Sequence, residues 1–328
     1  MDTAPHRPGN RDAWLQGDRG WNDLTGPSRA RRIAQQQAKY QALTSAWPAT
    51  DQWWVSEAVD REAVEVGYLM LDTVAPTGPA DRDRTALAAL EALTAINDSY
   101  AACARYEDIF SKFLFGRTVG DWVEAASCGA TAFERHAIEE ALRVQYDTLA
   151  EQRVERGTAQ AAEQVAKNRA DYREYLRWRD AEGCFYGVLL LCAVAAGIDL
   201  QHIPRVRVTE ALEAGIVAFD VHSMPRHRAE DETADIFRYL PGTHREKTDA
   251  ALGLLRDLHT DLIHADDLAG RDKEFLLRYV TAGSLLPYLA QRWSRTTALH
   301  VPPAGATDGH WTHVSAEFRH AVGYSDVG

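Results

Sequence analysis

The sequence predicts an all-α protein, a single bundle of about ten helices able to pack around a central cavity. Three observations predict it. No stretch longer than a few residues alternates apolar and polar side chains, as half-buried strands do. Segments with helical periodicity follow one another, separated by Pro and Gly punctuation, and no unit recurs at a fixed period. The chain has 328 residues of which 45% are hydrophobic, enough to bury a large core.

The elements follow in order. Residues 1–28 are rich in Gly, Pro, Asp and Arg and read as an N-terminal arm. The helical domain spans residues 29–300. Its first helix covers 29–47, and Pro48 with Asp51 marks a stop and a new N-cap. A helix follows through 60–71, then a Pro/Gly turn at 75–80. Residues 85–104 are Ala- and Leu-rich at helical spacing. A short apolar helix at 109–114 is expected to break near Gly116 and Gly120. Two long amphipathic helices are expected at 131–156 and 159–178, separated at Gly157. Residues 183–196 are apolar all round, which marks a central buried helix. Pro204 restarts the chain into a segment ending near Pro241 and Gly242, and helices follow at 245–264 and 272–293. Residues 301–328 form a turn-rich tail.

Composition narrows the function. The net charge is −12 and the pI 5.5, which opposes nucleic-acid or anionic-membrane binding, because phosphate contacts need clustered Lys and Arg. The basic cluster at 28–39 reads as a solvated first helix turn. The longest apolar run, 187–198, falls short of the ~20 residues that span a bilayer, so stable membrane insertion is not expected. Residues 1–20 lack the apolar stretch of a signal peptide, so none is expected there. Cys103, Cys128, Cys184 and Cys192 lack zinc-ligand spacing and read as reduced core thiols of a cytoplasmic protein. No G-x-S-x-G, P-loop or dinucleotide fingerprint occurs. Asp266, Asp267 and Asp272 flank a helix break and read as cap chemistry, and His310 with His313 lies in the tail.

The chemistry concentrates at 211–237, ALEAGIVAFDVHSMPRHRAEDETADIF, which opens apolar and closes charged. Residues four apart share a helix face, so Phe219, Ser223 and His227 point one way. Pro225 lacks an N–H and disfavours helix at Met224, so the face is expected to break after Ser223.

This segment resembles the second metal-binding helix of the class I terpene synthases, Asn-Asp-x-x-Ser-x-x-x-Glu, as Phe219-Asp220-x-x-Ser223-x-x-x-His227. Upstream, Glu174-Tyr175-Leu176-x-x-Arg179-x-x-x-Gly183 resembles the family's EYLxxRxxTxG stretch. Trp293-Ser294 resembles its late W-S pair. The family's DDxxD motif falls on Asn97-Asp98-Ser99-Tyr100-Ala101, and its terminal Arg-Tyr pair on Leu299-His300. The resemblance spans about residues 30–300.

What it implies is an enzyme that ionises a prenyl diphosphate, farnesyl or geranylgeranyl, and releases a cyclic or linear terpene. It implies Mg²⁺ held by Asp98, Asn97, Asp220 and Ser223, because a leaving group carrying several negative charges needs hard cations with oxygen ligands. Arg179 and Arg226 would grip phosphate through the guanidinium fork. Phe219 puts a π face where a metal ligand stands in the family, suited to a carbocation. His227 replaces a carboxylate with an imidazole, which favours softer metals than magnesium. Two alternatives keep the fold: metal-independent isoprenoid chemistry with His227 or Asp98 as acid or base, and a non-catalytic isoprenoid binder. The partner implied is a small isoprenoid, with a homodimer left open.

Overall fold

The computed structural model describes residues 57–76, 78–95, 105–114, 117–155, 159–229 and 234–289. The expected arm at 1–28, the first helix at 29–47, the tail at 301–328 and the residues Asn97, Asp98 and Cys103 lie outside them. So do Trp293-Ser294 and Leu299-His300. The described residues form an all-α bundle, as the sequence predicts.

Ten α-helices are among them: α1 Glu57–Val74, α2 Arg84–Ala95, α3 Val119–Ala126, α4 Ala132–Glu155, α5 Ala159–Ala170, α6 Tyr172–Gly183, α7 Phe185–Ala196, α8 Arg205–Ala229, α9 His244–Ile263 and α10 Gly270–Leu289. Short 3₁₀ turns occupy Tyr106–Ser111, Leu200–His202 and Ile236–Arg238. Of the apolar run 183–196, residues 185–196 become α7, which packs against α1, α2, α4, α6 and α8, while Gly183 ends α6 and Cys184 separates the two helices. Leu189 to Ala195 of α7 are buried without interruption, so this part of the helix has no solvent face for polar residues to occupy. Its last carbonyls are closed from outside: Arg271 donates to Ala196 O at 2.5 Å. Gly78 sits so close that a Cβ there would lie 1.7 Å from Ala195 O. Glu91 of α2 is buried against α7 and accepts from Cys192 Sγ at 3.2 Å. Burial pushes its carboxyl well above the usual range.

The most extensive helix pair is α8 with α10, and small residues set its spacing. A Cβ on Gly283 would stand 2.6 Å from Gly215 O, and one on Gly215 would stand 2.8 Å from the Tyr279 ring. A backbone oxygen cannot rotate aside, so the helices themselves must separate. Gly283→Ala is therefore expected to lower stability by about 2 kcal/mol, the overpacking cost exceeding the ~1 kcal/mol gained in helix propensity. Urea denaturation measures this. An unchanged or raised midpoint contradicts the tight crossing.

Four local expectations are corrected. First, the segment around 109–114 is not a helix: a 3₁₀ turn is followed by two-residue strands, Phe113–Leu114 and Arg117–Thr118, paired antiparallel. Trp122 Nε1 donates to Leu114 O at 2.6 Å and pins this pair to α3. Gly120 lies inside α3, which starts from a capping box between Thr118 and Asp121. Second, residues 159–178 are two helices. Asp171 is extended at φ −143°, and its side chain accepts from Arg173 N at 2.9 Å, capping α6. Third, Pro225 does not break its helix, since α8 continues to Ala229. A missing N–H removes one backbone bond, and the burial of Asp220, Val221, His222, Ser223 and His227 holds the helix through the gap. Fourth, Cys128 is exposed rather than in the core, whereas Cys184 and Cys192 are buried and all three are free. Asp267 is also more than a cap neighbour, because it pairs with Arg207 of α8 at 2.9 Å. No helix among the described residues is long and apolar enough to cross a membrane.

Candidate functional site

Two helices supply the site, α6 with Tyr175, Arg179 and Glu182, and α8 with Phe219, Asp220, Ser223 and His227. On α6 the residues Tyr175, Arg179 and Glu182 fall at i, i+4 and i+7, one face of a helix, and all three are buried. That face meets α8.

Asp220 is the centre of the contact and is fully buried. The Tyr175 hydroxyl donates to its Oδ2, and the Ile236 backbone N–H donates to the same oxygen at 3.1 Å. Arg179 Nε lies 3.6 Å from its Oδ1. Burial raises the Asp220 carboxyl to about 7, Arg179 pulls it back and the neighbouring Asp235 pushes further up. Burial and the adjacent Asp220 push the Tyr175 phenol well up, so it remains a donor. Asp235 caps the following turn through Phe237 N at 3.0 Å, and Tyr239 stacks on Tyr175 with ring centroids 4.4 Å apart. Asp220 thus clamps the chain after α8 back onto α6.

Arg179 has a second partner, Glu182, with which its Nη1 makes an ion pair three residues along the same helix. Its guanidinium carbon lies 5.3 Å from the Phe185 ring centre and 5.6 Å from that of Phe219, within cation-π range. The two rings meet edge-on at 5.8 Å. One buried cation therefore faces two aromatic rings and two carboxylates.

Along α8, Phe219 is half-buried, Ser223 fully buried and His227 nearly so. The Phe219 and His227 rings lie 6.1 Å apart, although eight residues of helix advance about 12 Å, so the two side chains lean toward each other. The Ser223 hydroxyl has no hydrogen-bond partner among the described residues. His222 points elsewhere on the helix, and burial lowers its imidazole to about 3. Arg226 lies on the last turns of α8. The structure thus brings Arg179, Phe219 and Asp220 together and aligns Ser223 and His227 with Phe219, while Asn97 and Asp98 lie outside the described residues.

A magnesium set can be tested against these donors. Asp220 gives both lone-pair directions of Oδ2 to Tyr175 and Ile236 and turns Oδ1 toward a guanidinium. Ser223 then offers a neutral hydroxyl, and His227 a nitrogen that magnesium binds poorly. No group of three His, Cys, Asp or Glu side chains suited to a metal occurs among the described residues. As arranged here, the donors on α8 do not fit a magnesium cluster.

Sequence reading missed three participants. Glu182 sits three residues after Arg179, a spacing that marks an ion pair but not which of several nearby arginines takes it. Tyr175 carried a motif position without a partner, since its acceptor is 45 residues away. Asp235 had no signal beyond standing before an apolar pair. A scan of the chain against protein-family models finds no match, and a search of curated proteins finds none either.

Proposed function

We propose that the chain is a divergent enzyme of the class I terpene synthase type, acting on a prenyl diphosphate of farnesyl or geranylgeranyl length. The observation that carries this reading is the Arg179 guanidinium, buried between α6 and α8 and facing the rings of Phe185 and Phe219. A guanidinium suits a phosphate because it donates parallel hydrogen bonds to two oxygens. Rings that already accept one cation at 5.3 and 5.6 Å can face an allylic carbocation in its place. Ionisation breaks the bond from C1 to the bridging oxygen, and the electron pair leaves with the diphosphate. The cation left behind, cyclised or linear, then loses a proton to give a hydrocarbon. Arg179, with Arg226 beside the motif on α8, holds the leaving group; Phe219 and Phe185 line the cation's side; Asp220 keeps the two helices in register.

A second reading has its own support in the engagement of Asp220 by Tyr175 and Ile236. It keeps the fold and the isoprenoid but dispenses with the metal, His227 serving as proton donor or acceptor. The two separate in one experiment. Purified protein is incubated with geranyl, farnesyl and geranylgeranyl diphosphates, with Mg²⁺ or Mn²⁺ and with a chelator, and the organic extract is analysed by gas chromatography. Product only with metal supports the first reading, with ligands drawn from Asn97 and Asp98. Product that survives chelation supports the second. Tight binding of a prenyl diphosphate without turnover leaves a binding protein, and neither binding nor turnover ends all of these readings.

A further inference from the structure

Helices α6 and α7 would run on as one but for Cys184, which takes the left-handed conformation at φ 53°, ψ 36°. A side chain with a Cβ is uncommon there and costs on the order of 1 kcal/mol or more. In an unbroken helix the Tyr186 N–H would bond the Glu182 carbonyl four residues back. At this junction each group has gone to a side chain instead. Tyr186 N–H donates to Asp180 Oδ1 at 2.7 Å, and Glu182 O accepts from Gln145 Nε2 of α4 at 3.3 Å. The Tyr279 hydroxyl of α10 holds Phe185 O at 2.8 Å. Gln145 is fully buried and also donates to Thr94 O in the last turn of α2 at 3.1 Å. Its own Oε1 has no partner among the described residues. A fully buried amide with one unsatisfied end is destabilising on its own account, so packing alone does not explain a glutamine there.

We propose that Asp180 and Gln145 are the two halves of one lock that keeps α6 and α7 apart, and that both are positioning residues for Arg179 and Phe185. The two substituents of the broken hydrogen bond lie on either side of the bend, and so do the two groups they place. Arg179 sits one turn before it, and Phe185 is the first residue after it. The distance of 5.3 Å between guanidinium and ring therefore spans the bend and depends on its angle. Through Thr94, Gln145 fixes the end of α2 to the same junction. The use of this placement, holding a prenyl diphosphate, rests on the function proposed above; the lock itself does not.

The test is a double-mutant cycle on the full chain with Asp180→Ala, Gln145→Leu and the pair. Once either half is gone, the Tyr186 N–H and the Glu182 carbonyl can bond each other, so the second substitution has little left to remove. Each single variant is expected to lower the thermal midpoint, and the double variant to fall no further than the worse single. Losses that add overturn the lock. Gln145→Met supplies the same cycle should Gln145→Leu yield no folded protein. Where a prenyl diphosphate is turned over, both single variants and the double should lower kcat at least tenfold with KM within threefold of wild type, because the groups displaced act on the developing charges. Asp180→Asn, whose amide oxygen still accepts from Tyr186, should restore kcat. An unchanged kcat in all variants also overturns the positioning role. If no prenyl diphosphate is turned over, the functional reading fails while the stability cycle still decides the lock.

Discussion

Replacing Arg179 with alanine is expected to reduce turnover of a prenyl diphosphate at least about 100-fold, the scale of losing one buried donor to a developing anion. It should also lower stability by about 3–5 kcal/mol, because a broken buried ion pair leaves its partners uncompensated. The partners here are Glu182, paired with Nη1, and Asp220, 3.6 Å from Nε. Both are buried. Two further variants separate chemistry from folding. Arg179→Met combined with Glu182→Met removes one cation and one anion together, so most of the stability should return while turnover stays lost. Arg179→Lys keeps the charge but not the planar fork, and should fold near wild type with turnover still lowered. Activity within twofold of wild type in Arg179→Lys would mean that a point charge suffices and that the fork geometry is irrelevant. Activity retained in Arg179→Ala would remove the residue from the proposed mechanism altogether.

Much of the fold was legible because the strongest signals are local. A run with no polar face, 183–196, has one physical solution, burial on all sides, and α7 adopts it. Pro204 marks a helix start that the chain takes as written. The errors share a cause, the weighing of one residue against its tertiary surroundings. Pro225 carried a real penalty, but the buried residues around it on α8 outweigh a single absent hydrogen bond. Asp171 was passed over because a helical pattern ran across it, although its side chain competes with the helix backbone for Arg173 N.

The site was less legible, for a reason of distance. Phe219, Ser223 and His227 could be aligned by counting along one helix. The contact that organises the site joins Tyr175 to Asp220 and Ile236, and no periodicity links residues so far apart in the chain. The resemblance offered Asp220 as a ligand to a metal; the geometry uses its oxygens for the clamp between α6 and the chain after α8. The aromatic pair around Arg179 was hidden in the same way. Phe219 stood out as a π face on its own helix, but Phe185 looks like core filling until the guanidinium between α6 and α8 gives the two rings a common neighbour.

Asp220 and His222, two residues apart on α8, should give this protein opposing responses to pH that nearly cancel. The Asp220 carboxyl is raised from an ordinary 3.8 to about 7 by burial, so between those values the folded state holds a proton that the unfolded state has released. Its stabilising contribution is complete below pH 4 and lost as pH rises through 7, by up to about 4 kcal/mol at 1.36 kcal/mol per unit. The His222 imidazole is lowered from 6.5 to about 3, again by burial, and the unfolded state now binds the extra proton. That contribution is complete above pH 6.5 and lost as pH falls through 3, by up to about 5 kcal/mol. From pH 4 to 6.5 the two slopes have opposite sign and similar size, which leaves these two groups a shallow plateau. Single substitutions should expose each slope. Relative to wild type, Asp220→Asn should gain stability as pH rises from 4 to 7, leaving a protein that weakens steeply in acid. His222→Gln should do the reverse, gaining in acid and leaving a protein that weakens toward neutrality. Urea unfolding at half-unit steps from pH 3.5 to 8 measures both difference curves. Two flat curves would show that neither group is as desolvated as its place on α8 requires, and the packing of α8 between α6, α9 and α10 would then have to be redrawn.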